Sequence, residues 1–113
     1  MARVAAFVPD LLFGSSVVTS LAAAGHDVAL VSDPGEVDPG GADLLVLDLT
    51  ADAAARIEAV KRGAVGELPT LAFYSHVELE VRALAEQAGF ALVVPRSRMA
   101  REGAALVARL VAE

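Results

Sequence analysis

The chain has 113 residues, 56% of them hydrophobic, enough for one full core and too few for two, so positions 1–113 are expected to form a single domain. It has no cysteine and only two histidines, which excludes disulfides, thiolate chemistry and cysteine-built zinc sites. Acids outnumber bases 15 to 9, giving a formal net charge of -6, and only 4% of residues are aromatic, so neither a phosphate-binding face nor a base-stacking platform is expected, and no nucleic-acid partner.

The opening M-A-R-V-A-A-F-V-P-D has too short an apolar run for a signal peptide and no small-residue cleavage site. No later segment approaches the roughly 20 apolar residues of a membrane span. A cytoplasmic chain without membrane contact is the expectation.

Arg3 to Val8 reads as a short apolar strand ended by Pro9-Asp10. Asp10 then stands as N-cap before an amphipathic helix with Leu11, Phe13, Val17, Val18 and Leu21 on its apolar positions, running to Ala24 and stopped by Gly25. His26-Asp27 turn into a second strand, Val28 to Val31. The stretch S-D-P-G-E-V-D-P-G-G, Ser32 to Gly41, holds two prolines and three glycines, so it is expected to be a loop with at most one helical turn. Ala42 to Thr50, A-D-L-L-V-L-D-L-T, places four consecutive apolar residues between Asp43 and Asp48, the pattern of a strand buried on both faces of a parallel sheet.

Asp52 to Arg62 repeats Ala, Ile and Val at helical spacing, with Lys61 and Arg62 favourable at the C-terminal dipole and Gly63 closing it. Leu68 to Tyr74 reads as a fourth strand, followed by Ser75-His76. Val77 to Ala88 reads as a helix ended by Gly89, Ala91 to Val94 as the fifth strand, Pro95-Arg96-Ser97-Arg98 as a turn, and Ala100 to Ala112 as the last helix.

Strand alternates with helix throughout, which means a doubly wound parallel α/β sheet with helices on both faces. The expected fold is the flavodoxin-like one, five strands in the order 2-1-3-4-5, with the second helix short or missing. That order sets strands one and three side by side at the topological switch point, where ligands collect at the carboxyl ends of strands, and so brings Asp10 and Asp48 into one crevice.

The carboxyl edge then offers Asp10, Asp48, Tyr74, Ser75, His76 and Arg96. Two carboxylates can hold Mg2+, and a carboxylate can be a nucleophile toward phosphorus while a cation and hydroxyl donors stabilise the phosphoryl oxygens. The plainer reading of the same residues is that Asp10 caps a helix, Asp48 ends a strand, Ser75 caps the next helix and His76 is a solvent-facing loop histidine. Flavin and nucleotide cofactors are not expected: no G-x-G-x-x-G follows a strand, no G-K-[ST] loop is present, and the loop after strand one is P-D-L-L-F.

The segment D-L-L-V-L-D, Asp43 to Asp48, resembles the D-L-V-L-L-D of bacterial two-component response-regulator receiver domains, and A-G-H-D-V-A-L-V-S-D-P-G-E, Ala24 to Glu36, is similar to that family's A-G-H-E-V stretch and the D-G-E after it. The resemblance spans the chain. It implies that Asp48 is the phosphoacceptor, that Asp10 and Asp48 hold Mg2+, and that Arg96 stands where the family keeps a lysine. It also implies a stand-alone signalling domain, not an enzyme beyond self-phosphorylation on Asp48. A histidine kinase, a downstream effector or a second copy would dock on the face of the fourth helix, strand five and fifth helix, with Arg98 and Arg101 on that surface.

The departures point to an atypical member. Pro9 stands where the first metal-site acid belongs and weakens the Mg2+ site, Tyr74 replaces a small hydroxyl residue, Arg96 replaces lysine, and Ser97 replaces a proline whose peptide bond is cis in the family. Arginine cannot lose its charge, so Arg96 is expected either to hold an anion or to pair permanently with Asp48, with Ser75 supplying the hydroxyl. The rival reading from another class is a small-anion or metabolite-binding protein using Arg96, Arg98, Ser75 and His76. A third is a structural interaction domain with a dead site.

Overall fold

A computed structural model describes residues 2–112. The elements are β1 (Arg3–Phe7), α1 (Leu11–Ala23), β2 (Asp27–Leu30), β3 (Leu44–Asp48), α2 (Ala53–Arg62), β4 (Thr70–Tyr74), α3 (Leu79–Gln87), β5 (Leu92–Pro95) and α4 (Arg96–Val111). All strand pairs are parallel and the order is β2-β1-β3-β4-β5, the flavodoxin-like winding expected from the sequence.

Alternation along the central strands divides the core in two. Leu44, Val46, Leu71 and Phe73 face α1 and α4, meeting Val17, Leu21, Met99, Leu106 and Val107. Leu45, Leu47, Ala72 and Tyr74 face α2 and α3, meeting Ile57, Val60 and Ala85. Every residue of β3 and β4 is buried, which is why these strands read as unbroken apolar runs.

Three boundaries differ from expectation, each for a local reason. The segment 32–41 contains two 3-10 turns, Pro34–Glu36 and Pro39–Gly41, because Asp33 and Asp38 each accept the N–H two residues on, from Gly35 and Gly40, both at 2.9 Å. No α-helix covers that crossover. The helix expected from Val77 begins at Leu79, since Glu78 N–H donates to the Ser75 carbonyl at 2.8 Å and closes a turn first. The turn expected at Pro95–Arg98 does not exist: β5 ends on Pro95 and α4 starts at Arg96, arginine being a good helix former directly behind a residue of fixed φ.

At the amino-terminal edge, His26 Nδ1 accepts the Ala2 N–H at 3.2 Å, and Asp43 accepts the Arg3 N–H at 2.8 Å. That backbone bond first, then the Arg3 guanidinium, holds the Asp43 carboxyl below the usual carboxylate range. No helix among the described residues is long and apolar enough to cross a membrane.

Helix α1 is pressed onto the carboxyl end of β1. A Cβ on Gly14 would lie 2.9 Å from the Val8 carbonyl oxygen, a backbone atom with nowhere to go. Gly14→Ala should therefore destabilise the fold by about 1–3 kcal/mol in urea unfolding, despite the roughly 1 kcal/mol that alanine gains over glycine inside a helix. A more stable variant would show that α1 lifts freely from β1.

Candidate functional site

Asp48 is the last residue of β3 and is 3% exposed, one of only two buried polar residues among those described. Its Oδ1 accepts from the Thr50 backbone N–H at 2.8 Å and from the Thr50 hydroxyl. The Arg56 Nη1 stands 3.8 Å from the same oxygen and donates to the Asp48 carbonyl at 3.0 Å. Arg56 can do this because it lies in the first turns of α2, and helical side chains lean toward the N-terminus, here back over the end of β3. Its guanidinium carbon also stacks 5.0 Å from the Phe7 ring centroid, and the side chain is only 15% exposed. Asp52 enters α2 with φ 47, a left-handed conformation that aspartate tolerates better than most residues.

Asp10 is the N-cap of α1, its Oδ1 accepting from Leu12 and Phe13 N–H, both at 3.0 Å. Its other oxygen, Oδ2, lies 3.6 Å from Arg96 Nη2. The Arg96 guanidinium carbon sits 4.4 Å above the Phe13 ring, and Phe13 in turn packs against Phe73 at 5.1 Å between centroids. The standing Arg96 to Asp48 bridge considered from sequence is thus replaced by two separate pairs, Arg96 with Asp10 and Arg56 with Asp48. These pairs are unequal. The Arg56 pair is nearly buried, where removing one partner strands a charge, whereas the Arg96 and Asp10 side chains are 46% and 47% exposed, in the range where an ion pair is worth about 0–1 kcal/mol.

A cleft of about 560 Å3 opens at this edge, lined by Phe13, Thr50, Ser75, His76, Arg96, Ser97 and Ala100. It brings together three residues singled out from the sequence, Ser75, His76 and Arg96, and adds Thr50, which sequence reasoning missed. Tyr74 is not with them. It is 4% exposed and belongs to the core under α2 and α3, because alternation along β4 turns it to the face opposite Phe73. Arg98 and Arg101 lie outside the cleft on α4, both within 3.6 Å of Glu102 carboxylate oxygens.

No family model matches the sequence, and no curated protein is significantly similar to it. Solved structures are. The chain superposes at TM-score 0.80 and 20% identity on the non-phosphorylated HemR receiver domain from Leptospira biflexa, covering 100% of this chain and 96% of that one. A response regulator receiver protein from Burkholderia phymatum matches at TM-score 0.80 and 19% identity, with coverage of 99% and 96%. The fold is that of a response-regulator receiver domain. A third receiver domain, from a Pseudomonas aeruginosa sensor histidine kinase, matches at TM-score 0.78 and 16% identity over 99% and 98% of the two chains, and that protein holds a magnesium ion in its active site cleft.

The carboxylates that would hold such an ion in this receiver fold are Asp10 and Asp48, and they do not fit it well. Among the described residues no group of three acidic or histidine side chains converges, so Mg2+ would have to rest on Asp10, Asp48 and water. Pro9 offers no side-chain oxygen, Asp10 is shared between the α1 cap and Arg96, and Asp48 Oδ1 is taken by Thr50 and faced by Arg56. Mg2+ demands near-octahedral oxygen ligation, and the Arg56 guanidinium beside Asp48 would repel it.

The two duties of Asp10 separate by substitution. Asp10→Ala removes the cap and should lower stability by about 1 kcal/mol, while Asp10→Asn keeps a capping oxygen and loses only an exposed ion pair, so its unfolding midpoint should stay near wild type. Equal losses in both variants would mean that the Arg96 pair, not the cap, holds α1.

Proposed function

We propose that this chain is a receiver-type signalling domain of the two-component class that acts through protein contacts and is read without phosphorylation of Asp48. The observation that carries this reading is the state of the phosphoacceptor position. Asp48 stands at the carboxyl end of the central strand of a receiver fold, yet its side chain is only 4% exposed and already carries two Thr50 hydrogen bonds and a guanidinium. Phosphorylation would require one carboxylate oxygen to reach phosphorus in line as the donor's bond to phosphorus breaks and the leaving group departs with the electron pair. With Oδ1 taken by Thr50 and faced by Arg56, the resident cation stabilises the unmodified carboxylate and lowers its tendency to attack phosphorus.

The contact surface proposed is the face of α3, β5 and α4, on which Arg98 and Arg101 are exposed enough to meet acids of a histidine kinase, a downstream effector or a second copy. Arg98 and Arg101 already pair with Glu102, so a partner carboxylate exchanges one weak exposed pair for another that is desolvated on docking.

Two measurements test the proposal. Incubation with acetyl phosphate and Mg2+, followed by intact-mass measurement, should give no Asp48-dependent phosphoryl gain; stoichiometric gain in wild type overturns phosphorylation independence. In a two-hybrid screen against transmitter and output domains of two-component proteins, interacting clones should lose their signal with Arg98→Glu/Arg101→Glu. Full signal in that variant, or no interacting clone, removes the contact surface.

A second reading is favoured by one observation, the cleft in which Ser75, His76 and the weakly held Arg96 meet. An anionic metabolite there would take Arg96 from Asp10. Inorganic phosphate should then raise the melting temperature of wild type and leave Arg96→Ala unmoved; the same shift in both proteins rejects this site.

A further inference from the structure

We infer that Arg56 is the built-in counter-cation of Asp48, and that Mg2+ and Arg56 compete for this carboxylate. The inference deepens the reading of Asp48 given above and rests on it. Its ground is the chemistry around one oxygen.

A carboxylate this deeply buried needs compensation, because an ion moved out of water without partners incurs several kcal/mol of desolvation. Two donors come from Thr50 and are neutral. The charge itself is answered by Arg56, whose Nη1 stands 3.8 Å from Oδ1 and hydrogen-bonds the carbonyl of the same residue at 3.0 Å. That carbonyl is the last of β3, so one guanidinium nitrogen covers both the side-chain and the backbone oxygen at the strand's end. Phe7 fixes the plane of the guanidinium from below at 5.0 Å.

The alternatives can be set aside on geometry. Arg96, the cation that sequence spacing placed at this position, lies instead beside Asp10 and over Phe13, a weak exposed pairing away from Asp48. Arg3 is engaged at the opposite edge with Asp43. Among the described residues no third acid joins Asp10 and Asp48, and a hydrated Mg2+ brought to Asp48 would meet the positive charge of Arg56. A cation on the remaining Asp48 oxygen would still lie beside this guanidinium, and two positive charges on one largely buried carboxylate repel each other. Arg56 also belongs to α2, so the ion pair ties the start of that helix to the end of β3.

The test uses Mg2+ alone, at matched ionic strength, on the whole chain. Wild-type melting temperature should not respond to millimolar Mg2+. Arg56→Gln, which keeps a hydrogen-bonding side chain and loses the charge, should melt lower and should recover part of that loss when Mg2+ is added, with an apparent affinity about tenfold or more above wild type. Arg56→Gln/Asp48→Asn should show no recovery, and Arg56→Lys should stay insensitive like wild type, which keeps the question answerable if the Gln variant folds poorly. Saturable Mg2+ binding to wild type by calorimetry, or a folded Arg56→Gln that ignores Mg2+, overturns the inference. A phosphoryl gain on wild-type Asp48 without any Mg2+ response would instead overturn the functional reading and leave Arg56 as the counter-cation.

Discussion

A carboxylate at the end of a fully buried strand has to be answered by donors or by a cation, and in this receiver fold the answer is supplied by the chain itself. Asp48 is placed by β3, whose apolar residues are buried against helices on both faces, so the position of the charge follows from the sheet and not from any flexible loop. Thr50 satisfies it within two residues and Arg56 within eight. Charge-assisted hydrogen bonds are about twice as strong as neutral ones, and together with a guanidinium they make burial of the carboxylate tolerable. Remove that local compensation and the centre of the sheet ends in an unpaired charge.

The same constraint explains why the two arginines at this edge do different things. Arg56 is largely secluded, flat on Phe7, and bound to a backbone carbonyl as well as to a side chain. Arg96 is half exposed, with one side-chain contact to Asp10 and a stack on Phe13, each worth no more than about 1 kcal/mol at such exposure. The first is part of the architecture. The second is free to exchange partners, and it is the one that faces the cleft with Ser75 and His76.

Most of the fold was legible because it is written in periodicity. The runs Leu44 to Leu47 and Leu71 to Phe73 announce strands buried on both faces, Gly25 and Gly89 mark helix ends and take the positive φ such ends require, and Asp10 caps α1. The errors came where composition stands in for conformation. P-R-S-R suggests a turn by its proline and serine, but a proline in extended conformation followed by arginines starts a helix equally well. Of the candidate site, Asp48, Asp10, Ser75, His76 and Arg96 were legible as residues brought to one edge by the strand order. Their pairing was not, because an ion pair depends on side-chain reach and on which partner a neighbouring helix presents. Tyr74 was misplaced by counting along the chain without counting faces. Arg56 left one usable signal, a lone arginine in the first turn of an Ala-rich helix directly after the acid-terminated strand.

That arginine also changes the electrostatics of the edge in a way that substitution of a lysine would not. A guanidinium keeps its charge at any pH the fold meets, and its planar donors can bridge a carboxylate and a carbonyl at once while lying on an aromatic ring. A divalent ion is present or absent according to concentration; an arginine in α2 is present whenever the helix is. The Asp48 carboxylate therefore has a cationic neighbour supplied by the fold itself, one that comes with α2 and not from solution.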